Sequence, residues 1–446
     1  MAGWSSSSTI LAGARQRVAW ALMPVAVLWL GVLWAAYGSR APEKATSAPA
    51  AAPVLQAIAA SGQPSPAGGS FDRFDIDGRA VAAAANQHGD VVFFATLLRS
   101  AADEGIFFAS GSGIAKLVAV GDAVPSGERI AGFGERPAVA LNEPGEVAFA
   151  AALTGGKATS GVFVARKGKI AAVALSGAAA PDIAGATLAQ FEPPALNDAG
   201  DVAFLALTRR GREAGEAIYL QRRGRLVKLA GSGDAAPGGG IFSSFGNPSL
   251  NNKGELAFAA IVEQGPVLGG VFMGGGSDIH LALGIGSASP TGGIFARFSE
   301  RLELDDAGTI ALSAVLRNGG PDAAVFVIED DTPRAMAAIG DPAPGGGSFA
   351  AFASWPALSQ AGSVAFIASV DGGPNALALY LAGRGGLTRI AAVGDALPDN
   401  ARLAAFPLYP AVAIGGRDAV TFAAAAERDG TRTATLFYYG PARGRR

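Results

Sequence analysis

The sequence predicts an all-β fold, a seven-bladed β-propeller of four-stranded blades preceded by one N-terminal transmembrane helix. Three observations predict it. A turn of the form Asn-x-x-Gly recurs at even spacing, short strands with period-two alternation flank each turn, and the last repeat lacks a strand that the start of the chain can supply. The turn glycines are Gly89, Gly145, Gly200, Gly254, Gly308 and Gly362, with Asp418 in the seventh place; the spacings are 56, 55, 54, 54, 54 and 56 residues. So even a period means a repeat architecture, in which each unit buries its apolar face against its neighbours.

One unit shows the blade. Pro194-Ala195-Leu196 leads into the turn Asn197-Asp198-Ala199-Gly200, and Asp201 to Leu207 then alternates as a strand should. Ala217 to Leu220 and Leu226 to Leu229 follow, separated by a turn at Arg222–Gly224. The unit closes on a glycine-rich Gly-x-x-x-Pro loop, which recurs at Gly62, Gly121, Gly177, Gly233, Gly286, Gly340 and Gly394. Four short antiparallel strands repeated radially make a propeller. The second strand carries a bulky residue four places after the turn glycine (Phe93, Phe149, Phe204, Phe258, Leu312, Phe366, Phe422), and the third carries an aromatic each time (Phe107, Phe163, Tyr219, Phe272, Phe326, Tyr380, Phe437). A further Phe follows each closing loop, at Phe74, Phe133, Phe191, Phe245, Phe298, Phe352 and Phe406. Large side chains on one face of a blade and Ala on the other let neighbouring sheets approach to about 10 Å, so the phenylalanines read as core.

The ends predict closure. The last repeat stops after three strands, near Leu408–Ala413, Ala419–Ala425 and Thr433–Tyr438, while Val54 to Ala60 is an orphan matching the fourth strand of every other unit. Pairing the two closes the ring and removes two sheet edges.

The expected domains are a cytoplasmic tail over 1–17, a signal anchor over 18–37, an Ala/Pro/Ser-rich linker over 38–53, the propeller over 54–440 and a basic tail over 441–446. Val18 to Tyr37 is uncharged, with Trp20, Trp29 and Trp34 toward its ends. A membrane span needs about 20 such residues. Arg15 and Arg17 before it and Arg40 and Lys44 after it bias the orientation only weakly. A cleaved signal peptide, giving a secreted chain, is the alternative; its apolar core is usually shorter and ends in a small-x-small site, which Ala35-Ala36-Tyr37-Gly38-Ser39 matches poorly. The expectation is a single-pass membrane protein with its propeller on the periplasmic or outer side.

The repeat resembles the uncharacterised bacterial tandem-repeat proteins named for an Asn-x-x-Gly-x-x-Ala-Phe unit, with the best matches at Asn142–Phe149, Asn197–Phe204 and Asn251–Phe258. The resemblance covers residues 54–440. It implies an exported or surface protein and brings no catalytic residue with it.

Composition excludes several classes. A formal net charge of −2 gives no reason to expect nucleic acid or an anionic membrane surface as partner. The absence of Cys removes disulfides, thiolate metal sites and a Cys nucleophile. With only His88 and His280, a His-based triad or multi-His zinc site is not expected. Trp355 is the only tryptophan after the linker, which argues against tryptophan-docking quinone enzymes and Trp-based sugar platforms. No Gly-x-Ser-x-Gly elbow or phosphate loop occurs.

What remains are turn and loop residues. Asn86, Asn142, Asn197 and Asn251, replaced elsewhere by Asp305, Ser359 and Gly415, fit structural turn chemistry, since Asn, Asp and Ser bond nearby backbone and Gly tolerates positive φ. Asp122, Asp234, Asp341 and Asp395 follow the closing-loop glycine and are the candidate ligand or cation site; the competing reading is a carboxylate capping its own loop. A carboxylate cluster there could hold a cation such as calcium or steer a basic partner, and no cofactor is otherwise expected. Asp72, Asp75, Asp77 and Gly78 resemble part of a calcium loop but lack its alternation and distal Glu. The expected function is a non-enzymatic binding scaffold for a protein or envelope component. The alternatives are a hydrolase or lyase using loop-face carboxylates with a cation, and a structural adhesion element.

Overall fold

The structure is a computed structural model and describes residues 53–441 apart from 77–78, 81–82, 135–136, 277, 354 and 408–410. The expected tail, anchor and linker over 1–52 lie outside the described residues. Among the described residues no helix is long and apolar enough to cross a membrane.

The described strands form seven antiparallel sheets, each running from an inner strand through a second and third to an outer one, plus one two-residue hairpin pairing Asp75–Ile76 with Arg79–Ala80. In blade 3 the second strand is Val202–Arg210, the third Glu213–Arg222 and the outer Arg225–Gly231. The inner strand differs from the single short segment expected. It is split into Thr187–Phe191 and Ala195–Leu196, both paired with Val202–Arg210. Each sheet shows the same division. Proline explains it in four blades: Pro137, Pro194, Pro248 and Pro356 stand just before the lower piece. Proline cannot donate a ladder hydrogen bond there.

The cross-strand register turns the repeated aromatics into stacked pairs. Phe93 lies opposite Phe107, Phe149 opposite Phe163, and Phe204 opposite Tyr219. Six of the seven blades stack such a pair with ring centroids 5.5–5.9 Å apart; blade 5 sets Leu312 against Phe326. Seven apolar clusters result, each spanning two neighbouring blades. Between blades 1 and 2, for example, Phe149 and Phe163 pack on Val92, Ile106 and Val118. Burying one such ring stabilises by roughly 1.5–3 kcal/mol through desolvation alone.

Val54–Ala60 is the outer strand of blade 7. It pairs antiparallel with Thr431–Gly440, from Val54 opposite Gly440 to Ala60 opposite Thr435. A bulge at Ala57/Ala59 falls opposite Phe437, as the outer-strand bulges of other blades fall beside Phe163 and Tyr219. The first described strand is thus the fourth strand of the last repeat, and the ring is closed by pairing of the two ends.

Candidate functional site

The lower pieces of the inner strands converge on the axis and enclose a cavity of about 430 Å³. Two places before the turn Asn or its replacement, the lining is Ala84, Ala140, Ala195, Ser249, Glu303, Ala357 and Ala413. Small side chains are what seven converging strands leave room for. Blade 5 breaks the pattern. Arg301 and Glu303 both line the cavity and form an ion pair, Arg301 Nη2 to Glu303 Oε1 at 3.1 Å. Beside them Ser249 Oγ accepts the Leu304 N–H at 3.0 Å, and Asn247 N–H donates to the Glu300 carbonyl at 3.1 Å. Gly246 permits that approach, since a Cβ there would strike the Glu300 carbonyl.

At the turn end two arcs of hydrogen bonds run from blade to blade around the cavity. The turn asparagines are buried, 2–3% exposed. Each Oδ1 accepts an N–H four residues on, as Asn142 does from Glu146 at 2.8 Å and Asn197 from Asp201 at 2.9 Å. The amide then crosses to the next blade: Asn142 Nδ2 donates to the Asn197 carbonyl at 3.0 Å, Asn197 to Asn251 at 3.2 Å, and Asn251 to Asp305 at 3.1 Å. Gly145, Gly200 and Gly254 close these turns at φ of 78–82°, where a Cβ is disfavoured.

The second arc uses the residue after the Asn. Gln87 N–H donates to Glu143, Glu143 to Asp198, Asp198 to Asn252, Asn252 to Asp306 and Asp306 to Gln360, all at 2.7–2.9 Å. Asn252 Nδ2 also bridges Asp198 Oδ2 and Asp306 Oδ2 at 2.8 and 2.9 Å. No role is assigned to this position from sequence alone. Its signal was present, because Gln87, Glu143, Asp198, Asn252, Asp306 and Gln360 all carry a side-chain acceptor. His88, in the blade 1 turn, pairs with Glu143 Oε2 through Nδ1 at 3.0 Å.

The loop carboxylates lie in separate connections between blades. Asp122 accepts Lys116 Nζ and the Ala119 N–H, each at 2.9 Å. Asp234 pairs with Lys228 at 2.9 Å, and Asp341 accepts the Ala338 N–H at 2.8 Å. Asp395 accepts the Ala392 N–H at 2.8 Å and pairs with Arg389 at 3.1 Å. All these partners belong to the outer strand that leads into the same loop, and no hydrogen bond or ion pair joins two of the four. Among the described residues no group of three or more His, Cys, Asp or Glu is arranged to hold a metal ion. Of the calcium-loop candidates, Asp72 accepts Thr96 Oγ1 at 3.2 Å, Asp75 lies in the short hairpin, and Asp77 and Gly78 lie outside the described residues. His280 sits beside Asp331 at 3.1 Å.

Among the described residues, burial raises the pKa of Glu104 and Tyr219. Desolvation pushes the Glu104 carboxyl above the usual range, against the lowering effect of the Phe133 N–H that it accepts at 3.0 Å. Desolvation raises the Tyr219 hydroxyl to about 12, with Asp182 and Asp234 adding to it, and that hydroxyl donates to the Pro181 carbonyl at 3.2 Å. Both groups join neighbouring segments of the ring.

The model of a family of unknown function, DUF7453, matches residues 46–323 and, again, 267–438. The chain belongs to that family. Two overlapping matches are what a tandem repeat produces when one stretch of blades fits more than one register. A comparison with curated proteins gave no match. Among solved structures, TolB from Acinetobacter baumannii is 14% identical over 67% of this chain and 64% of its own, with a TM-score of 0.37. A puromycin-hydrolysing peptidase of Mycobacterium tuberculosis is 14% identical over 81% of this chain and 53% of its own, with a TM-score of 0.44. PorZ, a surface component of the type-IX secretion system of Porphyromonas gingivalis, is 13% identical over 80% and 46%, also with a TM-score of 0.44. The chain thus spans 46–64% of the length of these structures. At such identities no activity or partner passes from them to this chain.

Proposed function

We propose that the protein is a membrane-anchored, extracytoplasmic binding scaffold: residues 18–37 hold it in the bilayer, and the propeller offers a loop face to a protein or envelope component. The Asn-x-x-Gly-x-x-Ala-Phe resemblance, with its exported relatives, supports the same address. The observation that carries the non-catalytic part is how the axial polar groups are used. Catalysis needs an acid or base poised against substrate, with a proton to move. Here Glu143, Asp198 and Asp306 each accept a backbone N–H of the preceding blade, so they hold blades in register. A ring fastened in this way is a rigid platform. A hydrolase or lyase working through Asp122, Asp234, Asp341 and Asp395 would first have to free three of them from Lys116, Lys228 and Arg389.

Alkaline extraction and protease accessibility of the full chain in cell envelopes test the anchor. The expected result is a membrane-retained chain whose propeller is cleaved from the extracytoplasmic side; release by alkali removes the anchor from the proposal. Site-directed photo-crosslinking from Lys157 and Arg210, on the hairpins joining second to third strands, tests the face, with a discrete adduct expected. A thermal-shift series with calcium and other divalent ions, repeated on Asp234→Ala with Asp341→Ala, tests the loop carboxylates. A midpoint raised by an ion in the parent and not in the variant would overturn the non-catalytic, ion-free reading.

A further inference from the structure

The strand order puts two kinds of connection at one end of the ring: the Asn-x-x-Gly turns and the hairpins from third to outer strand. Contacts between them fix this. Arg166, at the end of the third strand of blade 2, pairs with Glu146 beside the turn at 3.1 Å. Arg222, at the same place in blade 3, pairs with Asp201 at 2.8 Å and donates to the Gly254 carbonyl in the blade 4 turn at 3.4 Å. These two adjacent hairpins carry Arg166, Lys167 and Lys169, and Arg222, Arg223 and Arg225, all exposed. Arg166 and Arg222 are matched by Glu146 and Asp201, and Glu143 and Asp198 lie nearer the axis, so the cations this sector presents at its rim are Lys167, Lys169, Arg223 and Arg225. The arginines at 209, 210 and 212 lie at the other end of blade 3 and do not extend this sector. The ring brings in blade 2 instead.

Both chain ends emerge on this same face. Val54 begins the outer strand of blade 7 opposite Gly440, and Tyr439 pairs with Val420 just past the seventh turn. The sequence continues beyond Gly440 with Arg443, Arg445 and Arg446, and Arg40 and Lys44 stand between the apolar stretch 18–37 and Val54. We propose that the turn face is a membrane-facing surface, whose basic sector on blades 2 and 3 rests on anionic lipid headgroups. Phosphate groups attract each nearby Lys or Arg with an energy that adds over a cluster and falls off within a Debye length. The hairpin of blade 5 on this face carries Glu329, Asp330 and Asp331. Glu329 pairs with Arg334 at 3.0 Å and Asp331 sits beside His280 at 3.1 Å, so the asymmetry of the face comes chiefly from Lys167, Lys169, Arg223 and Arg225, and an anionic surface draws the blade 2–3 side down. The opposite face, with the hairpins containing Lys157 and Arg210, is then left for a partner. This inference rests on the anchor reading for its tether, but its charge argument stands separately.

The chain has no Cys, so single-Cys labelling is clean. Full-length Lys169→Cys and Lys157→Cys, each bearing a fluorophore, are reconstituted into phosphatidylcholine vesicles with and without phosphatidylglycerol, with a headgroup quencher in the outer leaflet. The expected result is quenching at position 169 well above that at 157, present only with phosphatidylglycerol and lost in high salt. Lys167→Glu with Arg223→Glu and Arg225→Glu should abolish the difference, weakening the surface contact about a hundredfold; an unchanged thermal midpoint shows that the variant is folded. Equal quenching at both positions, or quenching indifferent to headgroup charge, overturns the proposal while leaving the anchor intact. Displacement by a soluble acidic peptide at low concentration overturns it in favour of a protein ligand. If the chain is washed from vesicles by alkali, the anchor reading fails; the same two labels on chain added to phosphatidylglycerol vesicles then decide the basic sector by itself.

Discussion

Blades 2 to 5 and the closure region of blades 6, 7 and 1 solve one problem with different chemistry. Across blades 2 to 5 a buried Asn amide reaches the next blade's carbonyl three times in succession. In blades 6 and 7 that position holds Ser359 and Gly415. There the link is carried by Asp418, which occupies the turn-glycine place at φ 55° and accepts Ser359 Oγ at 2.9 Å and Ser363 Oγ at 3.0 Å. At the junction of blade 7 with blade 1, Gly416 donates its N–H to the Asn86 carbonyl at 3.2 Å, and a Cβ on Gly416 would strike the backbone of Gln87. Side-chain amides join blades 2 to 5, a carboxylate and two serine hydroxyls join blades 6 and 7, and close backbone approach joins blade 7 to blade 1. The turn sequence is free to vary so long as some group spans the gap.

The largest test of this contrast is in the core. Phe204→Ala in blade 3 and Phe422→Ala in blade 7 should each cost about 3–5 kcal/mol in denaturant unfolding. Equal losses would mean that the closure blade is as tightly integrated as the rest; a small loss at Phe422 would mark it as opening first. Next comes Gly416→Val, expected to cost about 1–3 kcal/mol by forcing blades 7 and 1 apart. Its effect should appear as faster hydrogen exchange in Val54–Ala60, and unchanged exchange there would show that the junction tolerates the methyl groups. Asn197→Ala leaves the Asp201 N–H without its acceptor and takes from the Asn251 carbonyl one of two donors, the Gly254 N–H remaining. It should cost about 1–3 kcal/mol, against about 1 kcal/mol for Ser359→Ala, after which Ser363 Oγ still holds Asp418. A reversed order in thermal unfolding would remove the distinction between the two regions.

Two pH effects are smaller. Tyr219 has its pKa raised to about 12 from 10.0, so the stability it contributes is complete below pH 10 and is lost as pH rises through about 12. Tyr219→Phe should flatten that alkaline loss, and ultraviolet titration should show one phenol ionising late. Glu104 also has a raised pKa, so its carboxyl favours folding below the ordinary value of 4.5 and the advantage is lost above its folded pKa. Glu104→Gln keeps an acceptor for the Phe133 N–H and should leave stability less dependent on pH across the acid range. A steeper dependence in the variant would contradict the desolvation account.

The blade count, the aromatic positions and the orphan strand were legible because each rests on a local rule repeated at one period. Phe149 and Phe163 announce a core at their own positions, and Val54–Ala60 reads as a strand without reference to its partner. Asp122 shows the limit. Its place after the loop glycine suggested a ligand, yet which groups meet its oxygens depends on the outer strand folding back, which delivers Lys116 six residues earlier. The split inner strand was half legible, through Pro194 and Pro248, but its upper piece pairs only because the second strand runs on past the turn.

Alone, the sequence determined the repeat, the strand alternation, the turn chemistry and the supply of a closing strand, since these depend on neighbours within one unit. Only the tertiary structure decided that Glu143, Asp198 and Asp306 fasten adjacent blades, that Glu303 breaks a position held by Ala or Ser in the other six blades, and that Lys167 and Arg223 share a face. Residues about 55 positions apart meet there because closing a ring sets like positions of successive units side by side, and only that closure fixes which side chains meet.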